Sequence, residues 1–158
     1  MDAKDLRIGN WVKIKDSFFN EHYDLTYSHY TTNEFQITGW NDGSDVEGCK
    51  QIAFYSTPEK LMNGKIHSGI WDNCIEPIPL TEEHLFKFGF DKLANDIPTY
   101  YKCFGNLIED DYEFSFNIYV DSEFNYFITI FGRKIIIKHI HQLQNLYFFI
   151  SGEELTMK

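Results

Sequence analysis

Two histidines are the residues of this sequence whose type and spacing come closest to a metal site. His139 and His141 stand in "HIH", and Cys103 or nearby glutamates would supply the further ligands that a zinc ion needs. The flanking pattern predicts a helix here, and on a helix residues two positions apart project about 200° apart. We therefore interpret the pair as the polar start of a helix and predict no metal there.

The three cysteines do not form a recognisable zinc or disulfide framework. They lie 25 and 29 residues apart, without the C-x-x-C spacing of a zinc site, and their odd number does not suit a closed set of disulfides. A further combination of Cys49, His67 and Cys74 has no regular spacing either. We expect a reducing, cytoplasmic environment and no cofactor.

The acidic run "EDD" at 109 to 111, followed by Glu113, offers carboxylates for a divalent cation. Calcium loops place their oxygen ligands at alternate positions around a glycine, and this run lacks that arrangement. We interpret it as a solvated turn. Because the sequence contains no G-x-S-x-G, P-loop, G-x-G-x-x-G or H-E-x-x-H motif, it nominates no catalytic residue.

An aromatic stretch at 18 to 30, "FFNEHYDLTYSHY", is the best candidate for a binding surface. Tyrosine-rich segments without a clear hydrophobic period are typical of recognition surfaces. We take Tyr23, Tyr27 and Tyr30, together with Trp40 downstream, as candidate binding residues. The alternative is that these rings fill the core of the N-terminal part.

The net charge argues against nucleic acid as a partner. Lys and Arg number 14 against 24 Asp and Glu, a net charge of -10, and binding to phosphate backbones depends on Lys and Arg. The one locally basic stretch, "FGRKIIIKHIH", is interpreted as part of a hairpin. The N-terminus "MDAKDLRIGN" lacks the apolar stretch of a signal peptide, and no run of about 18 apolar residues offers a membrane span. We expect a soluble cytoplasmic protein with neither nucleic acid nor membrane as a partner.

The elements that position any site divide the chain into two parts at the proline-containing seam "EPIPL". Residues 1–76 predict a β-rich part, with a small barrel as one arrangement. Its strands are predicted from the runs "WVKI", "EFQITGW", "CKQIAFYS" and "IHSGIWDNCIEPI". Residues 77–158 form the second part, and the two parts together are short enough to make one compact unit.

The second part begins with a short predicted helix. Thr81 offers an N-cap after the extended proline segment, and Leu80 and Leu85 have the spacing of a hydrophobic staple. Gly89 offers a left-handed end, with Phe90 placed to complete a Schellman motif. The sequence therefore predicts both ends of this helix.

Four alternating runs follow and predict an antiparallel meander: "TYYKCF", "YEFSFNIYV", "FNYFITIF" and "RKIIIK". Apolar residues at 140, 143, 146, 147 and 150 then predict a second helix, with Gly152 as its stop. The predicted fold class is α+β: a β-rich N-terminal part, then an α-ββββ-α part with two helices on one face of an antiparallel sheet.

Three segments resemble blocks of a known family: "LRIGNWV" at 6 to 12, "IEPIPLTEEHLFKFGF" at 75 to 90 and "HQLQNLYFFISGEELT" at 141 to 156. The family is an uncharacterised group of short proteins common in Bacteroidetes bacteria, their phages and mobile elements. The resemblance implies a shared fold and a phage or mobile-element context. It implies no reaction, ligand or catalytic residue.

The first functional hypothesis is a non-catalytic interaction protein that binds a protein partner, or a second copy of itself, through exposed aromatic residues. The net charge suggests a second class, an acidic protein that mimics nucleic acid. Such a mimic should concentrate its carboxylates, whereas each half of the chain carries 7 basic and 12 acidic residues. A third class is an unrecognised metal-dependent enzyme with its site at the seam between the halves.

Overall fold

The computed structural model describes residues 5–15, 34–42, 51–56, 68–71, 74–94, 97–106 and 113–157. The backbone forms two compact units, Met1–Ile78 and Pro79–Lys158. Each unit holds an antiparallel sheet, and both helices of the described ranges belong to the second unit. The class is therefore α+β, as the sequence predicts. None of the described helices is long and apolar enough to cross a membrane.

The first unit is built on a five-stranded sheet. Its strands are β1 (Trp11–Ile14), β2 (Glu34–Asp42), β3 (Gln51–Ser56), β4 (Ser68–Trp71) and β5 (Ile75–Glu76). They pair antiparallel in the order β4-β3-β2-β1-β5. Among the described strands no ladder joins β4 to β5, so the small barrel considered from the sequence is not formed by them.

Alternation along β1 decides which of its side chains are buried. Val12 and Ile14 are buried, whereas Trp11 and Lys13 are half-buried. The two aliphatic residues belong to a cluster of buried side chains that also contains Leu6, Phe35, Ile37, Cys74 and Ile75. Because burying one such aliphatic or aromatic side chain stabilises by about 1.5–3 kcal/mol, this cluster is the core that holds the first sheet together.

The second unit contains another five-stranded sheet and two helices. Its elements are α1 (Glu82–Lys87), β6 (Asp91–Leu93), β7 (Thr99–Asn106), β8 (Glu113–Val120), β9 (Tyr126–Ile130), β10 (Arg133–Ile137) and α2 (Ile140–Ser151). The strands form a meander in the order β10-β9-β8-β7-β6. Four of them match the predicted runs, and sequence reasoning missed β6 because its three exposed residues show no alternation.

Helix α1 carries both predicted caps. The His84 N–H donates to Thr81 Oγ1 (3.4 Å) and the Thr81 N–H donates to His84 Nδ1 (3.2 Å), which closes a capping box with histidine in place of the usual Glu or Gln. At the other end the Phe90 N–H donates to the Leu85 carbonyl oxygen (3.0 Å), and Gly89 has a φ of 77°. These features form a Schellman motif, as predicted.

Helix α2 ends at Gly152 in the left-handed conformation, as predicted, but its buried stripe differs from the prediction. Leu146 is half-buried and Ile150 is 42% exposed, although the sequence pattern placed both toward the core. Polar Gln144 is fully buried, and its Nε2 donates to the carbonyl oxygen of Leu155 (3.2 Å). The buried residues of α2 are Ile140, His141, Leu143, Gln144 and Tyr147.

Both helices pack on one face of the second sheet, which confirms that part of the predicted architecture. Phe86 of α1 meets Tyr100 of β7 edge to face, with ring centroids 6.1 Å apart. Tyr147 of α2 packs on Phe116 of β8 at 5.5 Å. Tyr100 pairs directly with Ile118, two residues after Phe116, so the two rings project from the same face of the sheet.

Candidate functional site

The second sheet opens between β8 and β9. Within the described residues these strands pair at two points, Tyr119 with Phe127 and Val120 with Tyr126. An uninterrupted ladder would next place Ile118 opposite Ile128, and that pair is not formed. Strand β8 instead continues along β7, and β9 continues along β10. The facing edges of β8 and β9 therefore separate into a cleft.

The cleft has a volume of about 180 Å³. Its apolar lining consists of Phe116, Ile128, Ile130 and Ile150. Its polar lining consists of Ser115, Asn117, Tyr119 and Thr129. A cavity of about 150 Å³ with aliphatic and aromatic walls admits a benzene molecule, so this cleft has room for one aromatic ring or one branched aliphatic side chain.

The two sides of the cleft differ in polarity because a pleated sheet alternates its side chains. Phe116 and Ile128 are buried on the face that the helices cover, and Ile150 of α2 reaches the same cavity. Ser115 and Thr129 are exposed on the opposite face. The cleft therefore has an apolar floor below a polar, accessible rim.

Two phenylalanines stand in the turns at the two ends of β9. Phe131 and Gly132 form the two-residue turn into β10, with φ values of 48° and 74°, and the flanking residues Ile130 and Arg133 pair with each other. Two successive positive φ values are the mark of a type I′ turn, which favours Asn-Gly. Phe124, in the turn before β9, has a φ of 62°. Phe131 is fully exposed, and Phe124 is 84% exposed.

Helix α2 also presents apolar side chains to solvent near its C-terminal end. Phe149 is 82% exposed, and Phe148 and Ile150 are about two-fifths exposed. Ile150 also lines the cleft, so exposed apolar side chains stand beside it. Groups of exposed apolar residues are typical of interaction sites, whereas single exposed residues need no explanation.

Asp121 holds the closed end of the cleft. Its Oδ1 accepts hydrogen bonds from the backbone N–H groups of Glu123 (3.0 Å) and Asn125 (2.9 Å), and its Oδ2 pairs with Lys134 of β10. The Lys134 ammonium and then the Asn125 N–H lower the pKa of Asp121 to about 2. The carboxylate therefore stays ionised and keeps the β8–β9 turn in place beside β10.

A second polar cluster lies between helix α1 and the sheet. Glu82 of α1 accepts hydrogen bonds from Lys92 Nζ (2.8 Å) and from the Tyr100 hydroxyl (2.9 Å). These bonds lower the pKa of Glu82, whereas burial and then Glu82 raise the pKa of Tyr100. Through these two hydrogen bonds the cluster joins α1 to β6 and β7.

The structure corrects the reasoning about the two histidines. His139 is the N-cap of α2 with extended backbone, φ −134° and ψ 154°, and its ring stacks on that of His141 with centroids 5.6 Å apart. The predicted angle of about 200° was wrong because it treated His139 as helical. Burial lowers the pKa of His139, which favours the neutral ring. Nowhere in the described ranges do three or more His, Cys, Asp or Glu side chains gather in a way that could hold a metal ion.

The predicted binding residues belong to the first unit. Tyr23, Tyr27 and Tyr30 lie outside the described residues, as do Cys49, His67 and the run "EDD". Trp40 lies in β2 opposite Ala53, and its side chain is outside the described part. Cys74 is buried in the apolar cluster of the first sheet, where it packs as a small apolar residue.

The cleft was not predicted from the sequence, although the turn beside it contains an unusual residue. The run "FNYFITIF" was interpreted as a strand through Phe131, whereas β9 ends at Ile130. The dipeptide Phe131–Gly132 occupies the place where Asn-Gly or Asp-Gly is usual in a two-residue hairpin, and an aromatic residue there is the anomaly that sequence alone offers. Comparisons of the chain with protein-family models, with curated proteins and with solved structures found no match.

Proposed function

We propose that this chain is a non-catalytic interaction protein that binds a protein partner through the cleft between β8 and β9. The observation that carries the proposal is the combination of a cleft sized for one side chain with exposed apolar residues beside it. Interfaces draw most of their affinity from a few aromatic or aliphatic residues that fill such pockets on the partner.

The chemistry of the cleft favours binding over catalysis. Its eight lining side chains include hydroxyl groups but no carboxylate, imidazole, thiol or amine that would act as a general base to activate them. They do include hydroxyl and amide groups at the rim, and the Asn117 amide donates to Ser115 Oγ (3.0 Å). Such groups can hydrogen-bond the backbone of a chain whose side chain enters the apolar floor.

The net charge narrows the class of partner. At -10, the chain repels the phosphate backbone of nucleic acids, which leaves another protein as the better candidate. We also retain Tyr23, Tyr27, Tyr30 and Trp40 as candidate contacts in the first unit. We further propose the phage or mobile-element context that is implied by the resemblance of three segments to an uncharacterised family.

The test is affinity capture from the native host with three immobilised proteins and quantitative mass spectrometry. Thr129→Trp fills the cleft from its exposed rim, and Leu93→Trp places the same ring on exposed β6, at the far edge of the same sheet. We expect the wild type and Leu93→Trp to capture at least one protein, which can be the chain itself. Thr129→Trp should fail to capture the same protein.

Circular dichroism first establishes that both variants keep the wild-type fold. If Thr129→Trp and Leu93→Trp capture the same proteins, the cleft is not a binding site and the proposal is wrong.

A further inference from the structure

We propose, building on the interaction function above, that the partner is a second copy of this chain. In the proposed two-fold dimer, Phe131 of each copy enters the β8–β9 cleft of the other copy.

The position of Phe131 has no explanation within one copy. Its ring is fully exposed and so gains no burial, and its φ of 48° is one that bulky residues rarely adopt. Asn or Gly would form the same type I′ turn with less strain. Backbone strain of this kind is concentrated at functional sites, and insertion into an apolar site is the function that suits an aromatic ring at a hairpin tip.

The cleft has room for this ring and offers it apolar contacts. Its volume of about 180 Å³ exceeds the volume of about 150 Å³ that admits benzene, so it has room for a phenyl group. Phe116, Ile128 and Ile150 supply the apolar contact for the ring. The polar rim is left to meet the backbone of the incoming turn.

The location of the ring beside the cleft favours a closed pair. Ile130 lines the cleft and directly precedes Phe131 in the chain, so the inserting residue and the accepting cavity are neighbours on one surface. A two-fold axis near this edge brings both insertions together in one self-complementary interface.

Exposed apolar surface beside Phe131 also fits a second copy. Each copy carries a net charge of -10, which opposes association, so apolar contacts must hold the dimer together. Each aromatic ring buries about 150–250 Å², so two insertions, with the exposed Ile135 and Ile136 of the edge strand, make a small interface and a weak dimer.

Sedimentation velocity of the full chain, from about 1 µM to about 500 µM, tests this proposal. We expect the wild type to dimerise with rising concentration. Phe131→Asn, which suits the turn, and Thr129→Trp, which fills the cleft, should each weaken dimerisation at least about tenfold, the effect of losing one or two anchor residues. Phe124→Asn is the matched control, because it removes an exposed left-handed phenylalanine at the other end of β9.

A mixture of the two weakened variants sharpens the result. Phe131→Asn keeps an open cleft and Thr129→Trp keeps the inserting ring, so together they restore one of the two insertions. We expect the mixture to associate more strongly than either variant alone, which damaged folding would not produce.

Three results would overturn the dimer. The wild type could stay monomeric, Phe131→Asn could dimerise as strongly as the wild type, or the mixture could associate no more strongly than either variant alone. A monomeric wild type that still captures a different protein, lost in Thr129→Trp, overturns the dimer and leaves the proposed binding function standing. If the wild type stays monomeric and also captures no protein that Thr129→Trp loses, both proposals are wrong.

Discussion

The two long sides of strand β9 are held in different ways. Toward β10, a ladder of five residue pairs follows β9 along its whole length. Toward β8, two pairs and the turn held by Asp121 secure one end, and the other end opens into the cleft. The difference shows that a sheet can form a cavity by ending one ladder early, while buried side chains such as Ile128 still pack the separated strand against the core.

The largest expected effect tests whether packing replaces the missing ladder. Ile118 is fully buried and lies just beyond the last β8–β9 pair. We expect Ile118→Ala to lower the free energy of unfolding of the second unit by about 2–4 kcal/mol, because it removes apolar contacts and leaves a cavity. Amide hydrogen exchange in the second unit measures this change.

The control for that experiment lies on the laddered side. Ile136→Ala in β10 removes the same side chain at a position that is 44% exposed, and its effect should stay within about 0.5 kcal/mol. Equal losses in the two variants would show that packing does not replace the ladder on the β8 side.

The next effect concerns the turn that holds the closed end of the cleft. The pKa of Asp121 is lowered from 3.8 to about 2 in the folded chain, so its stabilising contribution is complete above pH 3.8 and is lost as the pH falls toward 2. We expect Asp121→Asn to lower the stability of the turn at neutral pH and to remove this acid dependence. The effect should be smaller than that of Ile118→Ala because the ion pair is open to solvent.

Hydrogen exchange at the Glu123 and Asn125 amides between pH 7 and pH 2 measures the change. Glu123→Gln, in the same turn, is the control and should keep the wild-type acid dependence. Parallel profiles for wild type and Asp121→Asn would mean that Asp121 does not hold the turn.

A third change addresses the helix over β7, away from the cleft. Thr81→Ala removes the N-cap of α1 and should cost about 1 kcal/mol, measured by exchange at the Leu85 amide. Thr156→Ala, an exposed position after α2, is the matched control with no expected effect. The NMR resonances of Ile128 and Ile130 should not shift in either variant. A shift of both resonances in Thr81→Ala would show that the helix cap and the cleft are coupled.

The smallest expected effect compares the two turns of β9. Phe124→Asn and Phe131→Asn should each stabilise the second unit by roughly 0.5–1 kcal/mol at concentrations where the chain is monomeric, because asparagine adopts a positive φ with less strain. Phe149→Asn removes another exposed phenylalanine from inside α2 and should change the stability little, since the two residues have similar helix propensities and no positive φ is relieved. Destabilisation in both turn variants would show that the rings already make stabilising contacts within one copy.

The structure confirms the sequence-based predictions that depended on neighbouring residues. Thr81, Gly89 and Gly152 mark helix ends because each cap is completed within a few residues of the chain. Gln144 escaped prediction because its burial depends on the carbonyl oxygen of Leu155, which a helical hydrophobic pattern does not include. The binding residues expected in the first unit stay a prediction.

The amino-acid sequence by itself determined the α+β class, the strands that alternate and the ends of the helices at Thr81, Gly89 and Gly152, because these follow from hydrogen bonding and periodicity over short stretches of chain. Tertiary structure alone decided where the β8–β9 ladder stops, and therefore that a cleft exists and that Phe131 stands beside it. The physical reason is that strand pairing is settled by the packing of side chains from β8, β9 and α2 at once, and no local pattern in any one of these segments records that outcome.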